Sequence, residues 1–376
     1  MAGRFRATSR AAPRASRPGV PPPLNLAMPL DMIDRRTAIQ GLGALSAALA
    51  LPSAIAAAPA PTRKPPRLRA GDTVGLVEPA GFTDDEFDLA LIVETVKAMG
   101  LVPKPAPHLA DRYGYLAGED KARAADLNAM YADKSVRAVF AVRGGWGCAR
   151  VLPHLDFGLI RANPKLLLGF SDITALHLAF AARAGFTTIH GPNAASSWGK
   201  LSWDAFREIA FDGATPVYRT PQGTDDRLVQ RSGSIRTFHP GKASGRLLGG
   251  NLTVLAALMG TPYLPDFDGA ILFLEDIGEA EYRIDRMLTQ LALGGVLGRV
   301  AGVVFGQCTD CRSSGGNLGG FSLSQVLKQH LEPLGVPAFQ GALIGHIPNQ
   351  FSIPVGVRAE IDATAGTIAI LESAVA

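Results

Sequence analysis

The sequence predicts an α/β protein, with a parallel sheet and its helices over 70–193 and a second α/β domain over 243–376. Three observations carry that prediction. Short, near-continuous apolar runs alternate with longer stretches of helical periodicity, as in βαβ units whose strands are buried on both faces. Several of these runs end in Gly- or Pro-containing turns, such as Gly144-Gly145 and His190-Gly191-Pro192, where ligand sites form in parallel sheets. The chain has 376 residues, 47% hydrophobic and only 19% charged, enough for two domains with a sizeable core.

In chain order, residues 1–56 read as an extension carrying an export signal. Arg35-Arg36 precede a mildly apolar, alanine-rich run from Gly41 to Ala58, with Ala54-Ile55-Ala56 as the cleavage site. Paired arginines ahead of such a run resemble a twin-arginine signal, although Ala38 stands where a bulkier apolar residue is usual. The run is too short and too rich in small residues for a stable membrane span. Met28 and Met32 are alternative starts, and an uncleaved anchor is the competing reading of the run. The formal charge of +4 belongs to this end of the chain. Residues 1–69 hold eleven Lys and Arg against two Asp and Glu, which leaves the body net acidic. No basic stripe interleaved with aromatics follows, so nucleic acid is not expected as a partner.

Proline-rich 57–69 reads as a linker. The first domain then runs strand 73–77, helix 84–99, strand 101–105, helix 119–132 and strand 136–142. Arg143-Gly144-Gly145-Trp146-Gly147 follows that last strand. Next come the run Leu166-Leu167-Leu168, a helix from Ile173 stopped by Gly185, and a strand at 187–189. Over 194–242 the periodicity fades into Ser, Gly, Thr, Pro and Arg, read as an inter-domain connection. The second domain offers strand 246–248, helix 251–259, strand 270–274, helix 281–293, strand 300–305 and helix 322–331. Terminal strands are expected near 342–344, 355–361 and 367–370.

The chemistry gathers at strand ends. Ser171 sits where an apolar strand bends directly into a helix, a geometry that lifts a hydroxyl clear of the sheet beside helix-start N–H groups. Its competing role, shared with Asp172, is a simple helix cap. Of seven histidines, His190 and His346 end apolar strands next to Gly, and spacing does not choose between them. Glu275 closes the apolar strand AILFL with Asp276 behind it, a costly place for an unpaired carboxylate. Arg283 and Arg286, a helical turn apart, can pair with Glu275 or bind a substrate carboxylate, and the sequence leaves open which. The Gly144-Gly145 turn is either an ordinary turn or a source of amide donors for an oxyanion. Cys308-Thr309-Asp310-Cys311 reads as an oxidised pair at a loop end. Cys148 lies at no strand-to-helix bend, which argues against a cysteine nucleophile. No HExxH, His-rich cluster or phosphate loop is present, so neither a metal nor another cofactor is expected.

The segments RGGWGCARVLPHLDF (143–157), LLGFSDITALHLA (167–179), HGP (190–192), GGNL (249–252), ILFLEDIGEAEYRIDRMLTQL (271–291) and GHIPN (345–349) resemble the LD-carboxypeptidase family of serine peptidases. The resemblance covers the chain from about Gly71 to its end. It implies an N-terminal α/β domain with a parallel sheet, amidotransferase- or flavodoxin-like, and a smaller, strand-rich α/β C-terminal domain. It also implies a triad of Ser171 as nucleophile, His346 as base and Glu275 as its acid. The amides of Gly145 and Asp172 would form the oxyanion hole. For the substrate, the sequence itself offers a rim at Gly144 and Trp146, and Arg283 or Arg286 as a clamp for a free carboxylate. Two positions depart from the family pattern: Trp146 replaces a usual tyrosine, and Glu78-Pro79-Ala80 replaces a small serine. The implied substrates are peptidoglycan stem peptides, cleaved to release terminal D-Ala. An immunity-type hydrolase of peptidyl-nucleotide antibiotics and a non-catalytic peptidoglycan-binding protein are the alternatives. The leader implies the periplasm, against a cytoplasmic role for members lacking one. Oligomeric state stays open, a homodimer included.

Overall fold

The computed structural model describes residues 62–221, 234–312 and 320–376, so the expected signal and cleavage site lie outside the described residues. The first half alternates β1 (Thr73–Val77), α1 (Glu86–Ala98), β2 (Val102–Pro105), α2 (Asp120–Ala132) and β3 (Val136–Ala141). Two short helices follow, α3 (Cys148–Val151) and α4 (Phe157–Ala162), then β4 (Leu166–Gly169), α5 (Thr174–Arg183) and β5 (Thr188–His190). Next come α6 (Lys200–Ala210), β6 (Val217–Arg219), β7 (Arg236–His239), β8 (Lys242–Asn251) and α7 (Leu252–Ala257). The chain continues through β9 (Ile271–Ile277), α8 (Glu281–Leu293), β10 (Gly302–Thr309), α9 (Leu323–Leu331) and β11 (Ala338–Gln340). It closes with β12 (Ile353–Val355), β13 (Arg358–Asp362) and β14 (Thr367–Ile370).

These strands form two sheets. The first, ordered β12-β5-β4-β3-β1-β2, is parallel from β5 to β2, with β12 antiparallel at its edge. The second, ordered β6-β14-β13-β8-β9-β10-β11-β7, has a parallel centre of β8, β9, β10 and β11 flanked by antiparallel strands. The apolar runs explain the centres of both. Leu166, Leu167 and Leu168 of β4, and Ile271, Leu272, Phe273 and Leu274 of β9, are almost wholly buried, as parallel strands covered on both faces must be. Helix α9 starts where a Ser322–Gln325 capping box satisfies its first amides.

Several segments differ from the sequence reading, among them the unexpected short helices α3 and α4. The connection expected over 194–242 contains the amphipathic helix α6 and two edge strands. Phe206 of α6 is fully buried against Phe140 of β3, ring centroids 5.7 Å apart, inside an aromatic cluster with Trp198 and Trp203. The single strand expected near 355–361 is two strands in different sheets. Between them Gly356 turns the chain and donates its N–H to Leu247 O at 2.7 Å. The strand expected near 342–344 lies earlier, as β11, and 342–344 instead crosses beside β10, where Ile344 O accepts from Gln307 N at 2.9 Å. Among the described residues no helix is long and apolar enough to cross a membrane.

Candidate active site

The site grows from the end of β4. Phe170 N donates to Asn193 Oδ1 at 3.1 Å, and the carbonyl of Gly169 lies 2.8 Å from His177 Nε2, reaching back from α5. His177 Nδ1 meets Thr188 Oγ1 at 2.8 Å, so the ring carries its proton on Nε2 and donates to Gly169. With the chain pinned on both sides, Ser171 adopts φ +65° and opens the 3-10 turn Ser171–Ile173 that leads into α5. A non-glycine residue there costs about 1–2 kcal/mol and persists only where its surroundings over-determine it.

The Arg143–Gly147 turn lies against this bend. A Cβ on Gly144 would stand 2.9 Å from Ser171 Cβ, 3.0 Å from Ser171 Oγ and 3.4 Å from Asp172 N, so a side chain is excluded there. The Asp172 carboxylate accepts from Cys148 N at 2.7 Å and ties the far end of the turn to the same bend. Burial pushes the Asp172 carboxyl up. Arg123, only 1% exposed, donates to the carbonyls of Gly118, Pro79 and Gly147 and pairs with Asp120, joining three loops at the base of the turn. The backbone amides of Gly145 and Asp172 donate to no acceptor among the described residues.

The other half comes from the second sheet. Glu275, fully buried on β9, holds His346 Nδ1 at 2.8 Å through Oε2. Gly345 makes the approach possible, since a Cβ there would stand 2.6 Å from Glu275 Oε2. The carbonyl of His346 is fixed by Thr309 Oγ1 at 2.7 Å, at the end of β10. The two halves meet at Phe170, whose ring centroid lies 4.8 Å from that of His346, one residue from Ser171. They also meet where Asn251 N donates to Thr174 Oγ1 at 2.9 Å. Asp276 turns the other way, toward Asn251, Thr253 and its own neighbour Ile277, and burial pushes its carboxyl up to about 6.

The structure thus brings Ser171, Asp172, Gly144 and Gly145 into one turn-and-bend unit, with the Glu275–His346 pair packed on it through Phe170. Trp146, 44% exposed, lines a cavity of about 560 Å³ together with Gly145, Phe82, Tyr115 and Arg143. Arg283 and Arg286 are not part of this unit. Both are exposed on α8, Arg283 bonded to Glu279 and Tyr282, and neither contacts Glu275. His190 is buried, with ring neighbours Phe170, His177 and Phe273 and no hydrogen-bond partner for either nitrogen among the described residues. Burial and Asp172 push the Cys148 thiol up, which keeps it a poor nucleophile. Asp172's carboxylate, Asn193, Arg123 and Thr309 are site-building residues that the sequence reading missed. Asn193, next to the HGP turn, and Thr309, inside the CxxC, were marked only by their neighbours.

Chemically, a strained serine beside unoccupied amide donors, with an imidazole oriented by a buried carboxylate, has the parts needed for acyl transfer. Comparison with known proteins identifies the family. Residues 74–191 match the LD-carboxypeptidase N-terminal domain, and residues 244–361 match the LD-carboxypeptidase C-terminal domain. The chain belongs to the LD-carboxypeptidase family. A Bacillus subtilis relative named probable murein peptide carboxypeptidase is 38% identical over 321 residues, 83% of this chain and 95% of the relative. The murein tetrapeptide carboxypeptidase of Pseudomonas aeruginosa is 35% identical over 260 residues, 68% of this chain and 82% of that one. The crystal structure of a muramoyltetrapeptide carboxypeptidase from Oxalobacter formigenes superposes with a TM-score of 0.68 at 27% identity. That match covers 79% of this chain and 97% of the other. The LD-carboxypeptidase architecture of two α/β domains is therefore the architecture of this chain, and the two matched domains divide the candidate residues. Ser171 falls in the first; Glu275 and His346 fall in the second.

Proposed function

We propose that this LD-carboxypeptidase family member is a serine L,D-carboxypeptidase that releases terminal D-Ala from murein tetrapeptide stems. The observation that carries the reading is the Glu275–His346 bond of 2.8 Å, packed through Phe170 on the Ser171 bend. Ser171 Oγ attacks the carbonyl carbon that precedes D-Ala, and its proton passes to His346. Glu275 holds the imidazolium through Nδ1–H, and the amides of Gly145 and Asp172 take the charge on the carbonyl oxygen. His346 returns the proton to the amine of D-Ala, which leaves with the electrons of the broken C–N bond. Water, deprotonated by His346, then cleaves the acyl-serine ester and regenerates the hydroxyl.

The test incubates purified protein with four peptides and measures, by mass spectrometry, the loss of each peptide's C-terminal residue. These are the tetrapeptide stem, its C-terminal amide, a pentapeptide ending in D-Ala-D-Ala, and an all-L tetrapeptide. Cleavage of the first alone is expected. Preference for the pentapeptide makes the protein a D,D-enzyme, and inertness toward all four leaves a peptidoglycan-binding protein.

We further propose that the enzyme works in the periplasm after export and cleavage near Ala56, on the support of the Arg35-Arg36 leader. Intact-mass analysis of protein from the envelope fraction checks this. A mass retaining Arg35 and Arg36 identifies an anchor, and protein confined to the cytosol removes the export reading.

A further inference from the structure

An enzyme that removes only the last residue must recognise a free carboxylate, and the arginines that the sequence offers for this lie on the exposed face of α8. Arg143 stands elsewhere. It precedes Gly144, the residue whose missing side chain brings the turn to within contact of Ser171 Oγ. Its side chain is exposed, and it walls both cavities that flank the turn. One, of about 640 Å³, also takes in Phe170, Asn193 and Ser196. The other, of about 560 Å³, takes in Gly145, Trp146 and Tyr115.

The guanidinium is held but not consumed. Nη1 donates to Phe82 O at 2.6 Å, and no other acceptor meets the side chain among the described residues. The loop that supplies this carbonyl is braced from outside by Arg112, which bonds Asp84 O and lies 4.8 Å over the Phe82 ring. The buried acid Glu78 is occupied by Thr83 through its amide, at 3.1 Å, and its hydroxyl, and it feels the Arg143 charge only at longer range. Glu78 and Arg143 form no ion pair within 4.0 Å among the described residues. An oriented, exposed cation with unshared donors therefore stands one residue from the candidate oxyanion turn.

We infer that Arg143 is the residue that binds the free terminal carboxylate of the substrate, and so makes the enzyme an exopeptidase. The inference rests on the carboxypeptidase reading above. In a substrate the carboxylate lies two bonds beyond the scissile nitrogen, about 4–5 Å from the attacked carbon. An arginine side chain reaches about 7 Å from its Cα, so a residue adjoining Gly144 spans that gap. A planar guanidinium meets a carboxylate with two parallel N–H donors, which a neutral amide cannot accept in the same way.

The experiment measures kcat/KM for the tetrapeptide and for its C-terminal amide with wild type, Arg143→Gln, Arg143→Lys, Arg283→Gln and Arg286→Gln. Melting curves accompany each variant. The wild type is expected to favour the free acid, and the acid-to-amide ratio to fall about 10²-fold in Arg143→Gln. Arg143→Lys, with charge but no bidentate fork, is expected to fall between, and it carries the test if the glutamine variant does not fold. A ratio that stays at the wild-type level in the folded Arg143 variants overturns the assignment. A fall in Arg283→Gln or Arg286→Gln instead, or a wild type without preference, does the same while D-Ala release stands. A wild type that cleaves neither peptide overturns the carboxypeptidase reading, and the clamp with it.

Discussion

Ser171 holds a backbone angle, φ +65°, that a serine in an ordinary helix cap does not need. The strain is kept in place by Asn193, His177 and the Gly144 turn, three contacts from three different loops and helices. If these residues act as proposed, Ser171→Ala and His346→Ala each lower kcat by about 10⁴-fold, and Glu275→Gln costs somewhat less. Steady-state kinetics on the tetrapeptide checks this. His190→Ala retains far more activity than His346→Ala, because neither ring nitrogen of His190 has a hydrogen-bond partner among the described residues and the ring meets the site only by packing on Phe170 and His177. A dead His190→Ala beside an active His346→Ala reverses the assignment of the base. Gly144→Ala is the sharper test of the turn. Its methyl group stands 2.9 Å from Ser171 Cβ and 3.0 Å from Ser171 Oγ, so kcat falls about 10²-fold or more. The overpacking, about 1–3 kcal/mol, lowers the melting temperature by a few degrees, which a thermal melt reads separately.

At the scale of elements, the end of β10 positions His346, the proposed base. Cys308 and Cys311 form a disulfide that closes a four-residue loop, and Thr309 inside it bonds the carbonyl of His346. The same stretch pairs with β9 just beyond Glu275, at Cys308–Asp276 and Thr309–Ile277. Loosening this loop frees His346 to drift from Glu275 without touching either side chain. Thr309→Val, which removes one hydrogen bond worth about 1 kcal/mol, is expected to lower kcat about fivefold. Dithiothreitol is expected to lower wild-type activity in the same direction, and to leave a Cys308→Ser/Cys311→Ser double variant unresponsive. Equal activity with and without the reductant in wild type shows that the disulfide does not hold the base.

For the whole molecule, acid is the revealing perturbation. His177 is fully buried and its pKa is pushed down to about 4 from an ordinary 6.5. A depressed histidine means that the unfolded chain binds a proton which the folded one refuses, so stability falls as pH drops from about 6.5 to about 4. The stability gap between wild type and His177→Gln is therefore expected to shrink by about 2 kcal/mol between pH 7 and pH 4.5 in urea melts. Asp276 has the opposite sign. Its carboxyl is pushed up to about 6, so the folded state takes the proton first and the burial cost is relieved as pH falls through 6. The gap between wild type and Asp276→Asn should accordingly shift in favour of wild type on acidification. Gaps that stay flat across this range show that neither group is as buried in solution as in the structure.

The sequence by itself determined the α/β class and the centre of each sheet, because parallel strands buried on both faces must be apolar throughout; the family came from the resemblance of its motifs. Ser171 and Gly144-Gly145 follow such runs and Glu275 lies near the end of one, but spacing left His190 and His346 equally open, and only the resemblance chose between them. The sequence also placed most helices to within a few residues, since caps and stops are local chemistry. What it did not determine follows from contacts between distant parts of the chain. Edge strands β6 and β7 have no apolar stripe to betray them, because most of their residues face solvent. The apolar run near 355–361 gives no hint that Gly356 sends its two halves to different sheets. Nothing local in Arg143, Arg283 or Arg286 says which guanidinium faces the cavities and which faces solvent. The tertiary structure alone decided that, by setting β3 beside β4, so that the turn after one strand closes over the bend after the other.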